Sequence, residues 1–257
     1  MGQAMTLRPM GLLEIVDRAF RLYRGNFWLF FGIAAAALLP LQIMSAVPGF
    51  YWAAAVLALP ANLLVAGALT KAVSERYLGG RETVGGSYRY VAKRLLPFIG
   101  TTLVAYLFVL GGLLLLIIGA IVFGFWIAFV SEAFIIEDKR YFQAIQRSRF
   151  LIGKGVWAQV LVLGLIVGAI TLVIQLPVGA VTTWALVSGT EPSRLQGLLV
   201  GVLNGATQSL VMPIGLAASI LLYYDSRIRK EGFDLEMLAR ELGRELPEQA
   251  GGPASAR

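Results

Sequence analysis

Residues able to do chemistry are few in this sequence, and their types limit what they could do. There is no histidine and no cysteine. That removes the usual general base, the haem and zinc ligands and the thiol nucleophile. Carboxylate chemistry is what is left. Within the apolar spans expected below, the only carboxylate is Glu132. A carboxylate at membrane depth is by default a functional candidate. The alternative is that it reaches back to the interface near Lys139 or Arg140. The neutral amides Gln42, Asn62, Gln175, Asn204 and Gln208 also fall in apolar stretches. Such groups tie helices together, at about 0.6 kcal/mol per hydrogen bond, or they line a polar path. Asn204 and Gln208 lie one turn apart, upstream of Pro213, and with Glu132 they mark where such a path would run. No metal-binding pattern and no cofactor motif is legible, so neither is expected.

The other chemistry available is anion recognition. The chain carries 22 Lys and Arg against 15 Asp and Glu, a formal net charge of +7. Arg18, Arg21, Arg147, Arg149, Arg227, Arg229 and Lys230 are candidates to hold lipid phosphates or an acidic partner. Each juxtamembrane Lys or Arg contributes about 1 kcal/mol toward an anionic leaflet. Nucleic acid is not expected, because these residues flank apolar stretches rather than forming a domain of their own.

Those stretches are the elements that must position everything else. No charged residue occurs from Gly25 to Thr70, Leu95 to Ser131, Gly155 to Thr190 or Leu195 to Tyr224. A membrane crossing takes about 20 apolar residues, so the first two stretches, 46 and 37 residues long, predict a pair of spans each. The others predict one each. The expected spans are 27–46, 51–70, 97–116, 118–136, 156–176 and 202–224, with Pro177 ending or kinking the fifth and a kink near Pro213 in the sixth. Six spans put every Lys and Arg except Arg194 on one side. The positive-inside rule makes that side cytoplasmic, with both termini on it. The expected fold class is therefore all-α: a six-helix membrane bundle of three hairpins, with short interfacial helices.

Residues 11–24 read as an interfacial amphipathic helix, with Glu14, Asp17, Arg18, Arg21 and Arg24 on one face. Segments 88–96 and 141–153 are expected to be similar. Arg18–Trp28 and Arg147–Trp157 share Arg, Leu and Trp at matching places, so each hairpin follows a basic surface helix. Either shared ancestry or the common demand of a membrane boundary accounts for this. Leu235, Leu238, Leu242 and Leu246 line one face of an expected closing helix, 234–246, which would pack on the membrane or on a partner protein. Residues 248–257 are expected to be disordered. Segment 1–247 is thus expected to be one polytopic domain.

Several segments carry a family resemblance: Leu7–Arg18 at the start, Ala144–Ser148 and Gly153–Trp157 before the fifth span, and Leu221–Glu236 at the end. The chain resembles the bacterial membrane domain fused to some glycerophosphoryl diester phosphodiesterases, and its stand-alone relatives. The resemblance implies a multi-pass protein of the bacterial cytoplasmic membrane. In the fused proteins catalysis belongs to a separate barrel with histidines and metal-binding carboxylates. This chain has no histidine and no room for that barrel, so no phosphodiesterase activity is carried over. The expectation is a non-catalytic module that engages lipids or partners through its basic face. The alternative is a transporter or permease component for a small or lipid-like solute.

Overall fold

A chain with this much apolar surface must satisfy its backbone internally, and helices do so within one segment. The computed structural model describes residues 9–47, 49–113, 116–153, 155–187, 193–233 and 235. All regular structure among them is helical: α1 (Leu12–Gly25), α2 (Phe27–Ala46), α3 (Tyr51–Tyr77), α4 (Val84–Ala92), α5 (Leu95–Leu113), α6 (Leu116–Trp126), α7 (Val130–Glu137), α8 (Phe142–Leu151), α9 (Val156–Val187) and α10 (Arg194–Glu231). Among the described residues, six helical stretches are long and apolar enough to cross a membrane: α2, α3, α5, Ile118–Glu137 across α6 and α7, α9 and α10. This is an all-α, multi-pass membrane bundle. The short helices α1, α4 and α8 each precede a pair of spans.

The charged connections gather at one end. Tyr77 of α3 lies beside Tyr224 of α10, Tyr90 of α4 donates to the carbonyl of Ile135 in α7, and Arg147 of α8 pairs with Glu231 of α10. At the opposite end Gly112 of α5 sits against Gly119 of α6, and Gly197 of α10 against Ala46 of α2. The sequence asymmetry of charge is thereby a physical asymmetry of the bundle.

Several boundaries differ from the sequence expectation. The second span continues from 70 to Tyr77, held by the Lys71–Glu75 pair one turn apart and by burial of Tyr77. The second surface helix is 84–92 rather than 88–96. Thr83 caps it by accepting from the Gly86 N–H at 3.1 Å, and Pro97 then falls in the first turn of α5. The third surface helix stops at Leu151. The fourth span is interrupted at 127–129 between α6 and α7. Pro177 does not end the fifth span, which runs through it to Val187; a membrane helix tolerates the missing donor. The sixth starts at Arg194, not 202, because Ser193 and Gln196 form a reciprocal capping box. It ends at Glu231, where Gly232 takes the left-handed conformation at φ 64°. Helix 234–246 and the tail 248–257 lie outside the described residues, Leu235 excepted.

Helix α10 is the keel. Its glycines 197, 201 and 205 recur every four residues and face α2. A Cβ at Gly201 would lie 2.8 Å from the Gln42 carbonyl oxygen, and one at Gly205 would lie 3.1 Å from the Cα of Leu39. Small residues at this spacing let two backbones approach closely where lipid supplies no hydrophobic drive. Gly201→Leu is therefore expected to cost about 1–3 kcal/mol of stability through overpacking. Gly168→Leu, where a Cβ would meet nothing within 4 Å, should leave thermal unfolding in detergent unchanged.

Candidate functional site

Two polar arrangements stand out, one at the charged end and one within the membrane-spanning part. At the charged end the last turns of α10 present Tyr223, Asp225, Arg227, Arg229, Lys230 and Glu231. Asp225 and Arg229, like Arg227 and Glu231, are one turn apart and pair along the helix. Asp225 is fully buried. Its Oδ2 accepts from Arg229 Nε at 2.7 Å, and its Oδ1 accepts from the backbone N–H of Met10 at 2.6 Å. Arg229 also donates to the Met10 carbonyl at 2.6 Å. Met10, two residues ahead of α1, is thus clamped on both backbone groups.

Arg147 of α8 lies between two carboxylates. It donates to Glu137 of α7 and to Glu231 of α10, each at 2.8 Å from the same guanidinium nitrogen, and a second nitrogen also reaches Glu231. Arg227 lies 3.2 Å from Glu231 and 3.5 Å from Glu137. The hydroxyl of Tyr223 donates to Glu137. The hydrogen bonds to Glu231, then those to Glu137, hold the Arg147 guanidinium well above its ordinary range. Three elements therefore meet at one network of alternating charge.

The expected anion-binding residues divide once placed. Arg147 and Arg227 are 16% and 14% exposed, with their charge directed inward. Arg18 lies over the Tyr77 ring at 5.3 Å and approaches the sulfur of Met10. Arg229 is on Asp225 and Met10. Lys230 donates to the Phe150 carbonyl and lies over its ring. Arg21 pairs with Asp17 but is 63% exposed, and Arg149 stacks over Trp126 at 4.1 Å while facing out. Most of the guanidinium groups singled out in the sequence thus have partners inside the protein. Exposed cations at the same end include Arg24, Arg81, Arg89, Lys93, Lys139 and Arg140.

The second arrangement is a cleft of about 530 Å³ between α9 and α10, floored by Ala128 and Phe129 at the α6–α7 interruption. One face of α9 contributes Leu163, Gly164, Val167, Thr171 and Gln175; one face of α10 contributes Gln208, Met212, Gly215 and Ser219. The helices touch where Val167 meets Gly215. Glu132 stands behind Ser219. It is 2% exposed, and its Oε1 accepts from the Ser219 hydroxyl at 2.6 Å. Its Oε2 is buried without a hydrogen-bond partner. Glu132 does not reach Lys139 or Arg140; Arg140 pairs with Asp138 instead. Gln208 accepts from Gln42 of α2 at 3.2 Å, so the expected polar path is partly an interhelical tie. Asn204 is half-buried one turn before it and does not line this cleft.

The sequence did not single out Glu137, Asp225, Glu231 or Ser219. The pairs Asp225–Arg229 and Arg227–Glu231 were readable from their four-residue spacing. Nothing local marks Ser219, whose partner is 87 residues away. No known protein family, curated protein or solved structure matches the chain.

Removing one member of a largely buried charge network leaves the others uncompensated. Arg147→Gln should cost about 2 kcal/mol or more, short of the roughly 3–5 of a fully buried pair because some solvent reaches it. Arg147→Lys should not restore the loss, since an ammonium cannot span two carboxylates as the planar fork does. Arg21→Gln, at an exposed pair, should change stability by less than about 1 kcal/mol. Chemical denaturation in detergent reads all three.

Proposed function

We propose that this chain is a non-catalytic module of the bacterial cytoplasmic membrane, related to the membrane domain that accompanies some glycerophosphoryl diester phosphodiesterases. Both termini are cytoplasmic, and the basic end engages anionic headgroups, with segment 234–246 available to a partner protein. The observation that carries this is the division of the cations. One set is committed to the Glu137–Glu231 and Asp225 networks. The other, Arg24, Arg81, Arg89, Lys93, Lys139, Arg140 and Arg149, is left as an exposed rim at the same end. The rim surrounds apolar spans, where anionic headgroups would lie. Supporting a role without catalysis, the sequence has no histidine or cysteine, and the buried acids Asp225 and Glu132 hold structural hydrogen bonds.

Of the cations singled out in the sequence, Arg147 and Arg227 are thus assigned to the networks, and the headgroup site is assigned to the rim. With Arg81, Arg89 and Lys93 all changed to Gln, the purified protein should bind phosphatidylglycerol on the order of a hundredfold more weakly, three charges at about 1 kcal/mol each. Unchanged retention, measured by mass spectrometry of co-purified lipid, would remove the proposal. Orientation has its own test. Since the chain lacks cysteine, Arg81→Cys should resist a membrane-impermeant maleimide in intact cells, whereas Phe50→Cys should react.

The α9–α10 cleft favours a second reading, a component that moves a small or lipid-like solute. Flux in proteoliposomes that is lost in Glu132→Gln or Gln208→Leu would support it. Flux indifferent to both would count against it.

A further inference from the structure

The hydrogens of the two hydroxyls lining the α9–α10 cleft are already committed. The Ser219 hydroxyl gives its hydrogen to Glu132 Oε1. The Thr171 hydroxyl gives its hydrogen to the Val167 carbonyl at 2.7 Å. What remains on both is oxygen lone pairs. Behind Ser219 is the buried Oε2 of Glu132, an acceptor that no described group satisfies. Buried acceptors of this kind normally have a donor. The lining around Ser219 is apolar, from Val160, Leu163, Val167, Met212 and Leu216, while the amides Gln175 and Gln208 lie at the far end of the cleft, about three turns along α10 from Ser219. These residues lie within stretches long and apolar enough to span a membrane, so the surroundings of the cleft are hydrocarbon. Its volume, about 530 Å³, is within the roughly 300–1,000 Å³ of small-molecule sites.

We infer that this cleft is a binding site for a single-chain amphiphile whose head donates hydrogen bonds, a primary amine or alcohol, seated at Ser219 with its chain along α9 and α10. The specificity lies in donation rather than in positive charge alone. The site uses the cleft of the transport reading but requires no net movement of solute. Binding without flux would retire that reading and leave this one standing.

Gly164 provides the means to test it. It lines the cleft, and a Cβ there would meet nothing within 4 Å. A large side chain at 164 can fill the space without forcing the helices apart. Gly168, one turn on, is equally unobstructed but does not line the cleft. The experiment measures radiolabelled dodecylamine binding to the protein in phosphatidylcholine nanodiscs, corrected for uptake by empty discs. Unlabelled dodecanol and dodecyltrimethylammonium serve as competitors. The expected result is one saturable site, displaced by dodecanol and not by the trimethylammonium compound, which has the charge but no donor. Gly164→Phe should abolish binding and Gly168→Phe should retain it. Glu132 reaches the cleft only through Ser219, so Glu132→Gln, whose amide can donate to Ser219 and turn the Ser219 hydrogen toward the cleft, should weaken dodecylamine binding about tenfold. Should Gly164→Phe fail to fold, Gly164→Leu serves in its place. No saturable binding, undiminished binding in the filled variant, or equal competition by dodecyltrimethylammonium would overturn the inference.

Discussion

The rest of the structure depends on one guanidinium held between two carboxylates. Arg147 of α8 joins Glu137 at the end of α7 to Glu231 at the end of α10, with Arg227 and Tyr223 completing the group. Apolar packing in a bilayer is weakly directional, because lipid tails compete for the same surfaces. A charge network with fixed fork geometry is directional. It sets the second and third hairpins in register at the charged end. The Asp225–Arg229–Met10 clamp does the same for the first through α1. Helix α10 carries the acid or base at each of these joints.

With α10 fixed at that end, glycine contacts fix it along its length. Residues 197, 201 and 205 bring its backbone against α2. Helix α9 is different. Very little of its apolar window is buried, and its main partner is α10. The two helices meet at Val167 and Gly215, and both line the cleft. The same arrangement divides the polar groups. Cations drawn into the networks hold the bundle together, while those of the rim stay exposed at the same end.

Much of this was legible in the sequence, and what was not has physical reasons. Charge-free stretches give the spans because a charge at the bilayer centre is costly. Helix ends are less legible, because apolarity stops before the backbone does. The third helix runs on to Tyr77 on the strength of Lys71–Glu75, and the Ser193–Gln196 box starts the last one well ahead of its apolar core. The interruption at 127–129 falls in Ile-Ala-Phe, with no glycine or proline to announce it. The basic clusters fall at one end of the molecule, but their spacing does not reveal the division of labour among them. Arg147 and Arg149 are two residues apart, yet one is drawn into the network and the other lies over Trp126. Only tertiary neighbours decide that. Glu132 was visible as an oddity in an apolar run, while its partner Ser219 was not visible at all.

The central claim is that Arg147 and Glu231 act as one unit holding the hairpins in register. A double-mutant cycle tests it most directly, using Arg147→Gln, Glu231→Gln and both together, with unfolding followed in one detergent. The account predicts a coupling free energy of at least about 1.5 kcal/mol, as close charge pairs show. Single-mutant effects that add to within about 0.5 kcal/mol would mean the two residues act independently, and would contradict it.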